Sequence, residues 1–183
     1  MTEAELARWS ETAEALGVAG AMASAAVRGE GVAVEALGSA RLVWAGPGSP
    51  LSRVYGFGFD GEVTGATLDA IEAFYAGHGV VDGRGIRIEL SPYAHPSALP
   101  ALRARGYGVE QFKDLLVRAL GPGSGALPAP AIPVRSVDLA DPAAVRAVAL
   151  AVATGFGNGV APDEAGVRLG IQLVAQPDAA TFA

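Results

Sequence analysis

Residues 86–120 read IRIELSPYAHPSALPALRARGYGVEQFKDLLVRAL, and their order of signals decides the fold. Ile86, Ile88 and Leu90 alternate with Arg87 and Glu89, the period of two expected of a strand with one buried face. From Ser97 to Arg105 the spacing changes. Ala98, Leu99, Ala101 and Leu102 fall on one side of a helix, and Gly106 supplies the left-handed residue that ends one. Phe112 to Leu120 then reads as a second strand.

Working outward, Thr2 and Glu5 form a capping-box pair ahead of Leu6, Trp9, Ala13 and Leu16, which share a helical face. Val18 to Val27 reads as a second helix of small residues. Arg41 to Ala45 and Arg53 to Phe59 read as strands joined by the turn-rich Gly46-Pro47-Gly48-Ser49-Pro50. Thr64 or Thr67 caps a helix whose apolar face is Leu68, Ile71 and Tyr75, ending at Gly77 and Gly79. The element order predicted is α-α-β-β-α-β-α-β, an α/β fold with a mixed sheet flanked by helices. Residues 121–133, GPGSGALPAPAIP, read as a linker. Beyond it come a short strand at Val134 to Val137 and a helix capped by Asp141, with Pro142 at its first position and Val145, Val148 and Val152 on one face. A strand at Leu169 to Ala175 follows.

The unit from Ile86 to Leu120 resembles the C-terminal half of the GNAT superfamily of acyl-CoA-dependent N-acetyltransferases. There a strand, a helix with the pattern N-x-x-A-x-x-L-Y-x-x-x-G-F and a final strand close the fold. Gly106 and Tyr107 match the terminal pair and Ala98 the pattern's alanine, while His95 stands at the Asn, Ala101 at the Leu and Leu102 at the Tyr. The resemblance implies a GNAT-like unit over residues 1–120, degenerate in its chemistry, a linker over 121–133, and the first elements of a second, incomplete GNAT-like unit over 134–183. It also implies acetyl transfer from acetyl-CoA to an amine of a small molecule or peptide by the intact protein, with the cofactor site in a missing C-terminal part. This chain alone is then expected to be inactive and to bind no cofactor tightly, and its C-terminal tail to be either mobile or paired with another copy as a homodimer through the incomplete C-terminal sheet. Two other readings remain: a non-catalytic interaction module on a GNAT scaffold, and a nucleotide-binding oxidoreductase.

Composition narrows the classes. The 183 residues are 51% hydrophobic, enough for a core. Thirteen basic residues against 19 acidic ones give a net charge of −6, and the basic ones are scattered, which argues against nucleic acid as a partner. The absence of Cys removes disulfides, a thiol nucleophile and Cys-ligated metal. The charge-free run Leu16 to Val27 follows Glu3, Glu5, Glu11 and Glu14 where a signal peptide needs positive charge, and no apolar run reaches membrane-spanning length. A cytoplasmic protein is predicted.

In the GNAT family the acyl-CoA pyrophosphate rests on the N–H groups of an R/Q-x-x-G-x-G/A loop between a strand and a helix. The equivalent here, Asp60-Gly61-Glu62-Val63-Thr64, has no Arg, Gln or Lys and two carboxylates that would repel the anion. No cofactor-binding residue is therefore predicted. Gly56, Gly58 and Gly61 form a literal G-x-G-x-x-G, with Asp82 downstream as the ribose-binding acid would be. Phe57 and Phe59 alternate with these glycines as a strand face would, however, so small residues in a twisted strand are the preferred reading. Gly155, Gly157 and Gly159 follow a helix and read as its C-terminal cap and loop. Leu102, at the position of the family's proton-donating Tyr, cannot donate a proton. Tyr107 matches the family's core aromatic, and Tyr93 lies in a loop. With His78 and His95 alone, no metal site is predicted. His78 reads as a charge at a helix C-terminus, and His95 as a cap of the following helix or a cleft residue. Ser91 lacks the nucleophile-elbow context. Glu89 and Arg87 share a strand face, where a solvated cross-strand ion pair is preferred over a base and an anchor in a groove. The catalytic residues are left unassigned.

Overall fold

A computed structural model of the chain describes residues 1–23, 31–81, 85–116, 135–156 and 161–174. Three antiparallel strands form its sheet in the order β1 (Ala33–Leu37), β2 (Ala40–Trp44), β3 (Arg53–Tyr55). The segment around Ile88 lies parallel to β3 through an isolated bridge to Val54, whose N–H donates to Arg87 O and whose carbonyl accepts from Glu89 N–H. Between them runs α2 (Gly65–Gly77), so that β3, α2 and the Ile88 segment make a parallel crossover. α3 (Ala98–Ala104) follows and ends at Gly106, whose φ of +81° is the left-handed cap expected.

The alternation along β2 and β3 divides the sheet into two faces. Ala40, Leu42, Trp44 and Val54 join Leu68, Ile71 and Tyr75 of α2, with Ile86, Ala98 and Leu102, in one apolar cluster. Thr64 caps α2: its Oγ1 accepts Thr67 N–H while Thr67 Oγ1 accepts Thr64 N–H. Tyr75, fully buried, donates its hydroxyl to Val43 O at 3.1 Å, and burial pushes the phenol well above its ordinary pKa.

The other face carries Arg41, Val43, Arg53 and Tyr55, and α1 (Glu3–Ala23) lies against the sheet on that side. α1 is one continuous helix where two were predicted, because Gly17 without a proline does not interrupt an alanine-rich run. The predicted apolar stripe is not the docked one. Trp9 and Leu16 are 64% and 53% exposed, while Ala15, Ala21 and Met22 are buried and Glu11 and Glu14 are half-buried. The polar sheet face explains the choice, since arginines and a tyrosine accept small and acidic helix residues better than a tryptophan.

Three further expectations change. β1 was not anticipated. The strand from Arg53 stops at Tyr55 because Gly56 and Gly58 turn left-handed, at φ +66° and +76°. Phe57 therefore joins the α2 cluster, while Phe59 goes under Arg8 of α1, whose guanidinium carbon lies 5.6 Å from the ring centroid. Residues 112–116 form no strand, and residues 117–120 lie outside those described.

By its contacts the chain divides into Met1–Gly108 and Val109–Ala183, a boundary earlier than the expected 120. In the second unit α4 (Pro142–Phe156) starts as predicted, with Asp141 Oδ1 accepting Ala143 N–H at 2.9 Å. Leu169 to Ala175 is a correction: through Val174 it belongs to α5 (Glu164–Val174), not to a strand. Asp163 caps α5 by accepting Gly166 N–H, and Gly170 faces Ala149 so closely that a Cβ there would meet Ala149 O at 2.9 Å. The sheet edge expected at this place, and with it the homodimer contact, has no strand to form it in residues 161–174. The linker at 121–133 lies outside the described residues.

Candidate functional site

The crossover loop from Gly56 to Thr64 meets the β1–β2 turn in a cleft of about 200 Å³. Leu37, Ala40, Phe57 and Val63 supply apolar walls, and Asp60, Glu62 and Thr67 the polar groups. Its geometry follows from one contact. Asp60 accepts the Ser39 N–H and the Ser39 hydroxyl, both at 2.8 Å, and Ser39 Oγ also lies 2.8 Å from Gly56 O. Gly38, at φ +57°, makes room for it, since a Cβ at this position would collide with the Asp60 carboxylate. Gly56 is equally constrained: a Cβ there would come within 2.9 Å of Ser39 O. Burial raises the Asp60 pKa, but the Ser39 side-chain and backbone hydrogen bonds lower it more, so the carboxyl titrates below its ordinary range. A depressed folded-state pKa means that Asp60 adds stability above the unfolded carboxylate value and loses it as the pH falls through the folded one.

At the N-terminus of α2 several donors are already committed within the chain. Val63 N–H donates to Ser97 Oγ at 2.8 Å, and Thr64 and Thr67 exchange N–H bonds with each other's hydroxyls. Ser97 Oγ also lies 2.8 Å from His95 Nδ1, toward which the Ser97 N–H donates at 3.3 Å. Ser97 thereby ties Val63, at the entry to α2, to His95, at the entry to α3. His95 N–H donates to Gly58 O at 2.7 Å, and a Cβ at Gly58 would press on Ala94, Ala98 and Val63 at 3.3–3.4 Å. The glycines thus permit loop-to-loop contact, and His95 holds the start of α3 instead of lining the cleft.

The other candidate residues fall elsewhere. Glu89 pairs with Arg53 of β3 at 2.9 Å, each side chain only about a sixth exposed. A cross-strand ion pair was expected, but a solvated one; this pair forms with Arg53 and is largely buried. Burial raises the Tyr55 pKa well above its ordinary value, and neighbouring Arg53, Glu89 and Glu14 modulate the shift. Leu102 is buried in the apolar cluster, with Tyr107 packed on its edge. Burial, then Glu72, pushes the Tyr107 phenol up to about 12, its hydroxyl 3.5 Å from that carboxylate. Arg105, at the end of α3, bridges Glu72 and Asp69 of α2 and reaches Gly65 O. Tyr93 lies exposed in its loop and donates to Glu3 at 2.9 Å, a bond that raises its pKa. His78 is the C-terminal cap of α2, stacked 5.4 Å from Trp44 and edge-on to Phe74 at 4.9 Å. Ser91 is buried and accepts Tyr93 N–H, while His95 Nδ1 is turned to Ser97, so the two do not form a nucleophile–base pair. Gly155 lies in the last turn of α4, and Asp82, Gly157 and Gly159 fall outside the described residues.

Among the described residues no three His, Asp or Glu side chains gather as a metal-holding group, and no helix is long and apolar enough to cross a membrane. Sequence reasoning missed Ser39 and Ser97, the two hydroxyls that shape the cleft. The Gly38-Ser39 pair between AVEAL and ARLVW was a readable two-residue hairpin signal. The chain matches no protein-family model, no curated protein and no solved structure.

Proposed function

We propose that this chain is the non-catalytic, N-terminal part of a GNAT-type, acyl-CoA-dependent N-acetyltransferase, shaping or supporting an acetyl-transfer site whose cofactor loop lies outside residues 1–116. The observation that carries the reading is the crossover. A strand, a loop, a capped helix, a segment parallel to the first strand, a second helix and a Gly-Tyr stop follow in an order similar to the family's, without its closing strand in residues 112–116. The loop that would hold pyrophosphate is closed by its own side chains. Val63, Thr64 and Thr67 donate within the chain, and Asp60 and Glu62 present negative charge where an anion would sit. Leu102, buried at the position of the family's tyrosine, has no proton to give a departing thiolate.

A micromolar site represents about 8 kcal/mol of binding. Charge-assisted hydrogen bonds contribute about 1.5–3 kcal/mol each, so three committed donors remove most of it. Calorimetric titration of the chain with acetyl-CoA is expected to give a dissociation constant no tighter than about 1 mM, and saturation near 10 micromolar would overturn the non-catalytic reading. Reading the gene beyond codon 183 tests the other half. An R/Q-x-x-G-x-G/A loop between a strand and a helix is expected there. Its absence would replace the acetyltransferase reading with a non-catalytic interaction module, which the closed loop equally favours.

A further inference from the structure

An aspartate followed by glycine can rearrange through its own side chain, because the glycine nitrogen has no adjoining Cβ to crowd its approach to the carboxyl carbon. The sequence holds two such pairs, Asp60-Gly61 and Asp82-Gly83. At the first, the attacking group is open and the attacked group is held. Gly61 sits exposed in a bend at φ +143°, with no atom within 4 Å of where a Cβ would stand. Among the described residues no carbonyl accepts its N–H. The Asp60 carboxylate, by contrast, is engaged at both oxygens: Oδ2 accepts the Ser39 N–H and Oδ1 the Ser39 hydroxyl, each at 2.8 Å. We infer that Asp60-Gly61 is an isomerisation site guarded by Ser39, and that opening this contact lets the peptide rearrange through a succinimide to an isoaspartyl linkage.

The chemistry shows what the guard does. The reactive form is the neutral acid: as the Gly61 nitrogen bonds to Asp60 Cγ, its proton joins the departing hydroxyl, and one water leaves a closed ring. Water then adds back. Attack at the ring's former main-chain carbonyl breaks that carbon's bond to nitrogen and leaves the chain running through Cγ, whereas attack at Cγ restores aspartate. Water is the only co-reactant, lost once and regained once. Ser39 opposes the first step twice. Either oxygen that departs must first give up a Ser39 hydrogen bond, and although burial raises the carboxyl's pKa, the Ser39 bonds lower it more, so little of the neutral acid is present. An isoaspartyl linkage puts one more carbon into the main chain of the loop that walls the cleft, and takes the carboxylate out of reach of the β1–β2 turn. This inference stands apart from the acetyltransferase reading and is independent of whether acetyl-CoA binds.

Incubating the full chain at neutral pH, in buffer and in guanidinium, reads the guard directly. Electron-transfer fragmentation of the digested peptides distinguishes isoaspartate from aspartate at each Asp-Gly pair. In wild type, isoaspartate at Asp60 should form at least about tenfold more slowly in buffer than in guanidinium, since two hydrogen bonds to a charged group hold only in the folded chain. Ser39→Ala removes the hydroxyl and keeps the N–H, and should speed the reaction in buffer by about tenfold. Ser39→Thr keeps both donors and should stay within about twofold of wild type. Isoaspartate at Asp82 should form at the same rate in wild type and Ser39→Ala, with circular dichroism verifying that the fold is kept. Equal rates at Asp60 in buffer and guanidinium, a Ser39→Ala chain no faster than wild type, a Ser39→Thr chain as fast as Ser39→Ala, or an acceleration shared in full by Asp82 would each overturn the proposal.

Discussion

The two faces of the sheet are built on different principles, although the same strands make both. Toward α2 the contact is aliphatic and aromatic, with Leu42, Val54, Leu68, Ile71 and Tyr75 almost wholly out of water. Toward α1 it is mixed: Arg41 and Arg53 project there beside buried Val43 and Tyr55, Glu89 joins Arg53, and the helix answers with Ala15, Ala21, Met22 and half-buried glutamates. Apolar burial is non-directional and adds up by area, whereas each buried charge is favourable only in the geometry that pairs it. The α2 side should therefore hold most of the stability, and the α1 side most of the dependence on particular partners.

The strongest test of that division is a truncation on the α2 side. Ile71 has no exposed surface and sits between α2 and the sheet. Ile71→Ala is expected to cost about 2–5 kcal/mol, the transfer term plus the cavity left behind. Urea denaturation should show a lower midpoint at unchanged slope. A loss under about 1 kcal/mol would mean that the apolar cluster is not what holds the sheet.

The α2 side was also the legible side. Leu68, Ile71 and Tyr75 recur at helical spacing behind a threonine cap, and hydrophobic periodicity reports such a face directly. The α1 side was read wrongly from Leu6, Trp9, Ala13 and Leu16, since periodicity locates an apolar stripe but not the surface that will meet it. A polar sheet face inverted the choice. Leu169 to Ala175 failed for a different reason. Ile171 and Leu173 alternate like a strand, yet the helical pattern begins earlier, at Val167 behind the Asp163 cap, and continues through Gly170 to Val174 against α4. The cleft was only half visible. Gly56, Gly58 and Gly61 stood out, but that Asp60 closes on Ser39 and Ser97 on Val63 depends on contacts far apart in sequence, which spacing does not encode.

On the α1 side the comparison is sharpened by the Arg53–Glu89 pair. Glu89→Ala removes one partner of an ion pair whose side chains are 16% and 17% exposed. The expected cost is about 1–3 kcal/mol, less than the about 3–5 kcal/mol of a fully buried pair because water still reaches both groups. The double variant Arg53→Met/Glu89→Leu should recover much of that loss, since apolar replacements of similar volume leave no stranded charge. Equal costs for the single and double variants would show that the polar face depends on packing and not on charge pairing.

The smallest effect belongs to the outward stripe of α1, and it decides whether the inverted docking is right. Trp9 is 64% exposed and Trp44 is buried in the α2 cluster, so the two tryptophans report opposite environments. Iodide should quench the Trp9 fluorescence and leave that of Trp44, and Trp9→Ala should abolish the quenchable part while changing stability by no more than about 0.5 kcal/mol. Had Leu6, Trp9, Ala13 and Leu16 been the docked face, the same substitution would remove a buried aromatic at a cost of about 3–5 kcal/mol. The gap between these values is wide enough that one denaturation curve separates them. A cost at the upper value would place the tryptophan stripe against the arginine face and undo the contrast between the two sides of the sheet.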